Sequence, residues 1–235
     1  MGLAGWSAQT FADFEALVVG NALTDGSVGS LRFPDLRLTL IRHGSNIRFA
    51  AAKNFGARRC CASWPATLIS DAEGNFDWLE EMQRKSECYP EIRTIGATLM
   101  NAADPSIVDG YGDALSIARM PWRCGHGQLV ANLLHSDAEV FSPCAAAALY
   151  AGESFVGAGG FDEFFFCYLE DVDSGLRRRL VGERCMQLRS LIGSHHGSAI
   201  AGRVGEFTIC DSYRNRQWII IKNMLFPSSD GRGSN

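Results

Sequence analysis

The sequence predicts an α/β fold built on a mostly parallel sheet flanked by helices. Strand-like and helix-like runs alternate through the first third of the chain, and polar turns follow the strand-like runs. Later, an amphipathic stretch with acids at its start and arginines at its end reads as a helix just before Gly182. Residues 14–19 read as a buried strand, and the turn-rich NALTDGSVGS follows them. Residues 36–41 read as a second strand, 49–61 as a helix, and 66–70 as a third strand ending at Asp71. Residues 78–88 read as the next helix. In such a sheet ligands gather at the carboxyl ends of the strands, where the turn after Val19 and the loop at Asp71 both fall. Between residues 101 and 140, Gly110, Gly112, Gly125 and Gly127 with Pro105 and Pro121 predict loops and short strands. From Val140, FSPCAAAALYAGESFVGAGGFDE predicts a strand and a short helix leading into an acidic segment. One domain over residues 1–226 follows, with 227–235, PSSDGRGSN, read as a disordered tail.

Composition narrows the function classes. A chain of 235 residues with 46% hydrophobic content buries one sizeable core. Its net charge of −4 offers no global basic field, so nucleic acid is not an expected partner. Arg177, Arg178 and Arg179 make a local basic patch, which suits either a solvated helix face or an anionic ligand. The eight cysteines form no CxxC pair and no metal-finger spacing, so reduced thiols in a cytoplasmic protein are expected. The N-terminus lacks a basic region followed by an apolar core, so no signal peptide is expected. The apolar run WIII at 218–221 is broken by Lys222 and is far too short to span a bilayer. Any expected membrane contact is peripheral, at the inner face of the cell membrane.

Residues 161–182, FDEFFFCYLEDVDSGLRRRLVG, carry the most chemistry. Val172, Leu176 and Leu180 recur at four-residue spacing, which predicts a helix with one apolar stripe. Glu170, Asp171 and Asp173 then sit in its first turn. The helix dipole favours their ionised forms there, while mutual repulsion and the apolar wall of Phe164, Phe165, Phe166 and Tyr168 oppose ionisation. A carboxylate under such opposed influences suits a general base. The same pattern also serves as an ordinary acid-rich first turn behind buried aromatics.

The order and spacing of three blocks carry a family resemblance. SPCAAAALYAGESFVGAGGFDEFFFCYLEDVDSGLRRRLVG, then SHHGSAIAG, then YRNRQWIIIKNM resemble the second half of family 2 glycosyltransferases, particularly the rhamnosyltransferase-like branch that builds bacterial surface polysaccharides. The resemblance implies a GT-A, Rossmann-like fold. It also implies an inverting transfer from a nucleotide-diphosphate sugar to a hydroxyl of a glycan or lipid-linked acceptor. Asp171, the second member of the acidic pair, is implied as base on the acceptor hydroxyl, with Glu170 as acceptor contact or electrostatic support. Phe161 and Asp162 fall on the implied acceptor side. A histidine downstream, His195 or His196, is implied as a metal ligand, and Arg214 and Asn215 as diphosphate contacts.

The first half resembles the same family more loosely. AQTFADFEALVVGNALTDGS matches a strand ending in Asp-Asn before a Ser-x-Asp-Gly-Ser turn, with Gly20 in place of the Asp and Leu23 in place of the Ser. Asn21 and Asp25 keep the family's residue types there and are implied donor contacts. NIRFAAAKNFG resembles an Asn-x-Gly-Phe-Ala-x-Gly-x-Asn pattern, which implies Asn46 and Asn54 on the donor side, although Arg48 and Ala52 replace glycines. TLISDAEGNF resembles the strand end that carries an Asp-x-Asp metal motif: Asp71 fits its last acid, and Ile69 occupies the first polar position. GLAGWSAQTF resembles the helix that follows the family's first strand, so that strand is expected to be missing, by truncation or by divergence.

Transfer from a nucleotide sugar needs a base for the acceptor hydroxyl and a cation for the departing diphosphate. A divalent ion, magnesium or manganese, commonly supplies the second requirement. The implied ligands here are Asp71 with His195 or His196, and each also fits an ordinary role in a turn or loop. The losses at Gly20, Leu23 and Ile69 all fall in the donor half, which keeps a second reading open: a weakened glycosyltransferase-like domain that binds a glycan or a partner protein. A glycoside hydrolase fits less well. Acids adjacent on a helix diverge by about 100 degrees, whereas hydrolysis needs carboxyls opposed across a sugar.

Overall fold

The computed structural model describes residues 6–22, 35, 37–133, 136–197 and 206–223. β1 (Ala16–Asn21) and β2 (Leu38–His43) pair in parallel, with Asn21 opposite His43. α1 (Phe49–Arg59) buries Ala50 and Asn54, four residues apart, and ends on Arg58 and Arg59, which suit the negative end of the helix dipole. β3 (Ala66–Leu68) leads through Asp71 into β4 (Ala72–Gly74). α2 (Trp78–Cys88) has Glu80 and Glu81 in its first turn and Lys85 in its last, and buries Trp78, Met82 and Ser86 at four-residue spacing. β5 (Thr94–Asn101) is buried on both faces along seven of its eight residues, as a central strand must be.

The region expected to hold loops and short strands supplies β6 (Val108–Gly110), β7 (Asp113–Leu115), β8 (Pro121–Arg123) and β9 (Ala138–Val140). β10 (Ala147–Tyr150) and α3 (Gly152–Gly157) are the strand and short helix expected after Val140. α4 (Glu170–Leu180), β11 (Cys185–His195) and α5 (Glu206–Asn223) complete the described chain. The main sheet runs in the order β3, β10, β5, β11, β4, with β6 added on β5 and β9 on β11, while β7 and β8 form a separate hairpin. The two longest ladders are parallel: β1 with β2, a separate two-stranded sheet, and β5 with β11 in the main sheet, which short strands join in antiparallel fashion. The result is an α/β fold with a mixed sheet and flanking helices.

Three apolar clusters tie the helices to this frame. Trp78 and Met82 of α2 pack with Ile95, Leu99, Leu188 and Leu191 of the central strands. Ala50 of α1 joins Tyr150, Phe155 and Phe161. Val172 and Leu176 of α4 join Phe165 and, from α5, Ile219. Burying apolar side chains of this size contributes roughly 1.5–3 kcal/mol each, so the third cluster fixes the entry to α4 firmly.

Three features depart from the sequence reading. The apolar stripe of α4 stops at Leu176, because Leu180 lies exposed in the last turn before Gly182, whose φ of 86° ends the helix. Of the aromatic wall, Phe165 is buried, whereas Phe164 is exposed and stacks edge-on against Trp218. β5, β11 and α5 are additional to the elements read from the sequence. The Asp25 turn and the 227–235 tail lie outside the described residues. No described helix is long and apolar enough to cross a membrane.

Candidate active site

The turn after β3 and the last residue of β11 meet at one edge of the sheet. β4 pairs with β11 so that Ala72 stands opposite His195, and the Asp71 carbonyl accepts the His196 N–H at 2.8 Å. This brings the Asp71 carboxylate within 3.7 Å of His195 Nε2. The exposed His196 is tied in through its backbone. The other ring nitrogen, His195 Nδ1, lies 2.8 Å from Oδ2 of Asp109, a residue of β6. Burial opposes a charge on His195, but its bonds to Asp109 and Asp71 outweigh it and raise the imidazole to about 9.

Asp109 leads into a second group. Arg123, on β8, lies 3.8 Å from Asp109 Oδ2 and 3.4 Å from Asp113 Oδ1. Its guanidinium also feels the charges of Cys144 and Asp171, so it stands among acids from both ends of the site. Asp113 is buried, which pushes its carboxyl up to about 7 against the pull of Arg123. Half-buried Lys53 of α1 is drawn down to about 8 by burial, against the attraction of Glu170, Cys144 and Asp71. Asp109, Asp113, Arg123 and Lys53 were not singled out in the sequence. Three of them sit in the glycine-rich middle that reads as loop, and Lys53 sits in a helix whose pattern shows no special role.

The first turn of α4 forms the other wall. Tyr168 and Leu169 both adopt left-handed backbone, with φ of 67° and 65°, which costs a non-glycine residue roughly 1 kcal/mol or more each. Asn215 of α5, fully buried, donates to the carbonyls of Cys167 at 2.7 Å and Tyr168 at 2.8 Å and so clamps that turn. Arg214 in turn donates to the Asn215 side-chain oxygen and pairs with Asp211 at 2.8 Å. Gly175 lets α4 approach closely, since a Cβ there would meet Ser142 Cβ at 2.5 Å. That approach places Asp171 Oδ2 3.2 Å from the Ala145 N–H, while Oδ1 accepts the Val172 N–H at 2.9 Å. Glu170 is also buried, and its Oε2 has no hydrogen-bond partner among the described residues. Burial, then repulsion from Asp171, pushes Glu170 up to about 8, so it holds a proton at neutral pH.

The remaining residues predicted for the site divide into three places. Asn21, at the end of β1, donates to Asn46 at 2.9 Å and accepts the Ile47 N–H at 2.8 Å, which joins the β1 end to the start of α1. Asn54 holds the Phe161 backbone through both its N–H and its carbonyl, and Phe161 itself is buried. Asp162 caps the Phe164 N–H at 2.8 Å and pairs with Lys222. Asp71 and His195 are therefore linked by contacts through Asp109 and Arg123 to Asp113, and the charges of that group and of Lys53 act on Glu170 and Asp171. Asn54, Phe161 and Asp162 instead hold the loop that precedes α4.

The implied divalent ion fits part of this arrangement. An Asp71 carboxylate facing a histidine nitrogen, whose ring is held from behind by a second carboxylate, is a donor set that suits manganese or magnesium poorly as a complete cage but well as a partial one. Among the described residues no group of three metal-ligating side chains converges, so a donor diphosphate has to complete the coordination.

The folded-state protonation of these groups sets a pH dependence of stability. Glu170 and Asp113 bind protons more tightly in the fold than in the unfolded chain, where they titrate near 4.5 and 3.8. Their contribution is complete below those values and is lost as pH rises through about 7 and about 8. His195 acts in the same direction: its contribution is complete below 6.5 and is lost through about 9. The thermal unfolding midpoint is therefore expected to fall as pH rises from about 5 to about 8, above which Lys53, drawn down to about 8, acts in the opposite direction; each net proton contributes at most about 1.4 kcal/mol per pH unit. Glu170→Gln should make the fall near pH 8 shallower. A midpoint that climbs across this window would contradict the protonation states described.

No protein-family model matches the sequence. The chain is similar to the O-antigen biosynthesis protein RfbC of Myxococcus xanthus, 28% identical over 205 residues, which make up 82% of this chain and 16% of that protein. Among solved structures it resembles the mannosyltransferase PcManGT from Pyrobaculum calidifontis in complex with GDP-Man and Mn2+. That match has a TM-score of 0.60 and 17% identity, over 83% of this chain and 52% of the other. S. aureus TarS in complex with UDP matches with a TM-score of 0.61 and 14% identity, over 93% of this chain and 60% of that one. GalNAc-T7 with UDP, GalNAc and Mn2+ matches with a TM-score of 0.59 and 11% identity, over 77% and 37%. The chain spans about one sixth of the length of the curated relative and under two thirds of each of these solved chains.

Proposed function

Because the chain has the GT-A glycosyltransferase fold, we propose that it transfers a sugar from a nucleotide-diphosphate donor to a hydroxyl of a glycan or lipid-linked acceptor, with inversion, in bacterial surface polysaccharide synthesis. The observation that carries this reading is the set of polar contacts from Asp71 and His195, through Asp109 and Arg123, to Asp113, whose carboxyl feels the charge of Asp171. It supports donor handling and acceptor activation at one sheet edge.

Asp171 is the base. Its carboxylate is fixed by the backbone N–H of Val172 in α4 and that of Ala145 before β10, while its neighbour Glu170 is kept protonated by burial. The acceptor oxygen gives its proton to Asp171 and forms a bond to the anomeric carbon as the bond to the diphosphate oxygen breaks on the opposite face. Asp71 and His195 Nε2 would hold a divalent ion at the donor end, which would supply positive charge for a leaving diphosphate. Lys53, which feels the Asp71 charge, adds positive charge to the same field. Asn21 and Asn46 lie at a strand end where a nucleotide binds in sheets of this kind. The protein works in the cytoplasm, with peripheral contact at the inner face of the membrane where a lipid-linked acceptor resides.

Ile69 and the partial ligand set favour one second reading, a glycosyltransferase-like domain that binds a glycan or partner without catalysis. Calorimetry with UDP or GDP in the presence of Mn2+ separates the two. Nucleotide binding that requires the ion supports transfer, and a folded chain that binds neither nucleotide supports the inert domain.

A further inference from the structure

We infer that Asp109 is a positioning residue of the transfer site: its carboxylate holds the His195 ring so that Nε2 faces Asp71 and a donor-bound cation. The inference rests on the proposed function. It goes beyond it in giving a role to a residue in the glycine-rich middle of the chain.

The strand geometry aims Asp109. β6 pairs with β5 so that Val108 stands opposite Met100 and Gly110 opposite Leu99, which leaves Asp109 as the extra residue of a bulge. Bulges turn a side chain out of the alternation that a regular strand imposes. His195 reaches the same place from the other side of β5, where it ends the parallel ladder opposite Asn101. Two side chains from strands flanking β5 thus meet at 2.8 Å, both more than nine-tenths buried.

Asp109 is itself held on two further sides. His126 Nδ1 lies 2.7 Å from its carbonyl oxygen, which anchors the bulge backbone. Arg123 crosses Gly110 so closely that a Cβ there would stand 2.6 Å from Arg123 Cδ, and its guanidinium reaches Asp109 Oδ2 at 3.8 Å. With Nδ1–H donated to Asp109, the proton that the ring gives up when a cation binds is the one on Nε2, which leaves the lone pair on the nitrogen on the Asp71 side. Without Asp109 the ring can flip or present N–H to Asp71, and either change removes a ligand. Partners of this kind alter metal affinity by roughly 10- to 100-fold when removed.

The test titrates Mn2+ into the full chain in the presence of UDP, following the free-ion signal by electron paramagnetic resonance, with unfolding midpoints recorded alongside. Asp109→Ala should weaken Mn2+ binding by about 10- to 100-fold. Asp109→Asn, which keeps the shape and still accepts from Nδ1–H, should fall between it and the wild type. If Asp109→Ala does not fold, the Asn variant decides by whether it weakens binding several-fold. Wild-type Mn2+ affinity in the folded variants overturns the positioning role, since a purely structural residue moves the midpoint and not the affinity. Absence of Mn2+ binding by the wild type overturns the proposed function and this inference with it, and that result is read before any variant is made.

Discussion

Asp171→Asn is expected to lower transfer by about 10²- to 10⁴-fold while the chain stays folded. The substitution keeps the side-chain shape and removes its capacity to take a proton. One amide oxygen still accepts a backbone N–H, but the amide nitrogen then faces either the Ala145 or the Val172 N–H, which lie 3.2 and 2.9 Å from the present oxygens. A modest drop in unfolding midpoint should accompany the loss. Glu170 does not substitute as base at neutral pH, because burial keeps it protonated up to about 8. The measurement is the turnover rate at saturating donor, with nucleotide binding as control. Full transfer by Asp171→Asn would falsify the base assignment.

Asp173→Ala is expected to be the more damaging change to the fold. Asp173 is fully buried and accepts hydrogen bonds from Arg177 Nε at 2.9 Å and Asn223 Nδ2 at 3.1 Å, with Lys222 Nζ 3.3 Å away. It therefore joins α4 to the end of α5. Arg177 keeps its bonds to the Ala158 and Gly160 carbonyls, but Lys222 and Arg177 lose a buried counter-charge. Removing one partner of such a pair costs about 3–5 kcal/mol, which at roughly 2–4 °C per kcal/mol lowers the midpoint by on the order of 10 °C. Thermal unfolding monitored by circular dichroism checks this. A shift of about 1 °C or less would mean that the α4 to α5 contact is held by the apolar cluster alone.

Two acids two residues apart in one helix turn thus make different contacts, and this division was not legible in the sequence. The helix, its acidic first turn and its end before Gly182 were readable, because they depend on local periodicity and the helix dipole. Which acid faces the site depends on what packs against each side. The Ala145 N–H stands on one side and α5 on the other, and both come from elements distant in sequence.

The same limit explains the missed elements. β5 alternates Thr94, Gly96 and Thr98 with Ile95, Ala97 and Leu99, a pattern that suits a half-exposed strand, and only its neighbours on both faces make it a buried central one. β11 is broken by a register shift between Leu188 and Ile192. α5 buries Asp211, Asn215 and Ile219 at four-residue spacing, and a stripe in which two of three residues are polar gives no apolar period. Asp71 and His195 were legible through family resemblance. Asp109 was not, since a bulge aims it and no residue pattern marks a bulge in a glycine-rich stretch.

The central claim is that Asp71 and His195 hold a nucleotide sugar through a divalent ion, within reach of Asp171. Calorimetric titration of UDP and of GDP into the wild type, Asp71→Ala and Asp171→Asn, each with Mn2+ and with EDTA, tests it most directly. The account predicts that the wild type binds at least one nucleotide in Mn2+ and loses that binding in EDTA. It also predicts that Asp71→Ala does not bind and that Asp171→Asn binds as the wild type does. A folded wild type that gives no heat with either nucleotide in Mn2+, or an Asp71→Ala variant that binds as tightly as the wild type, contradicts it.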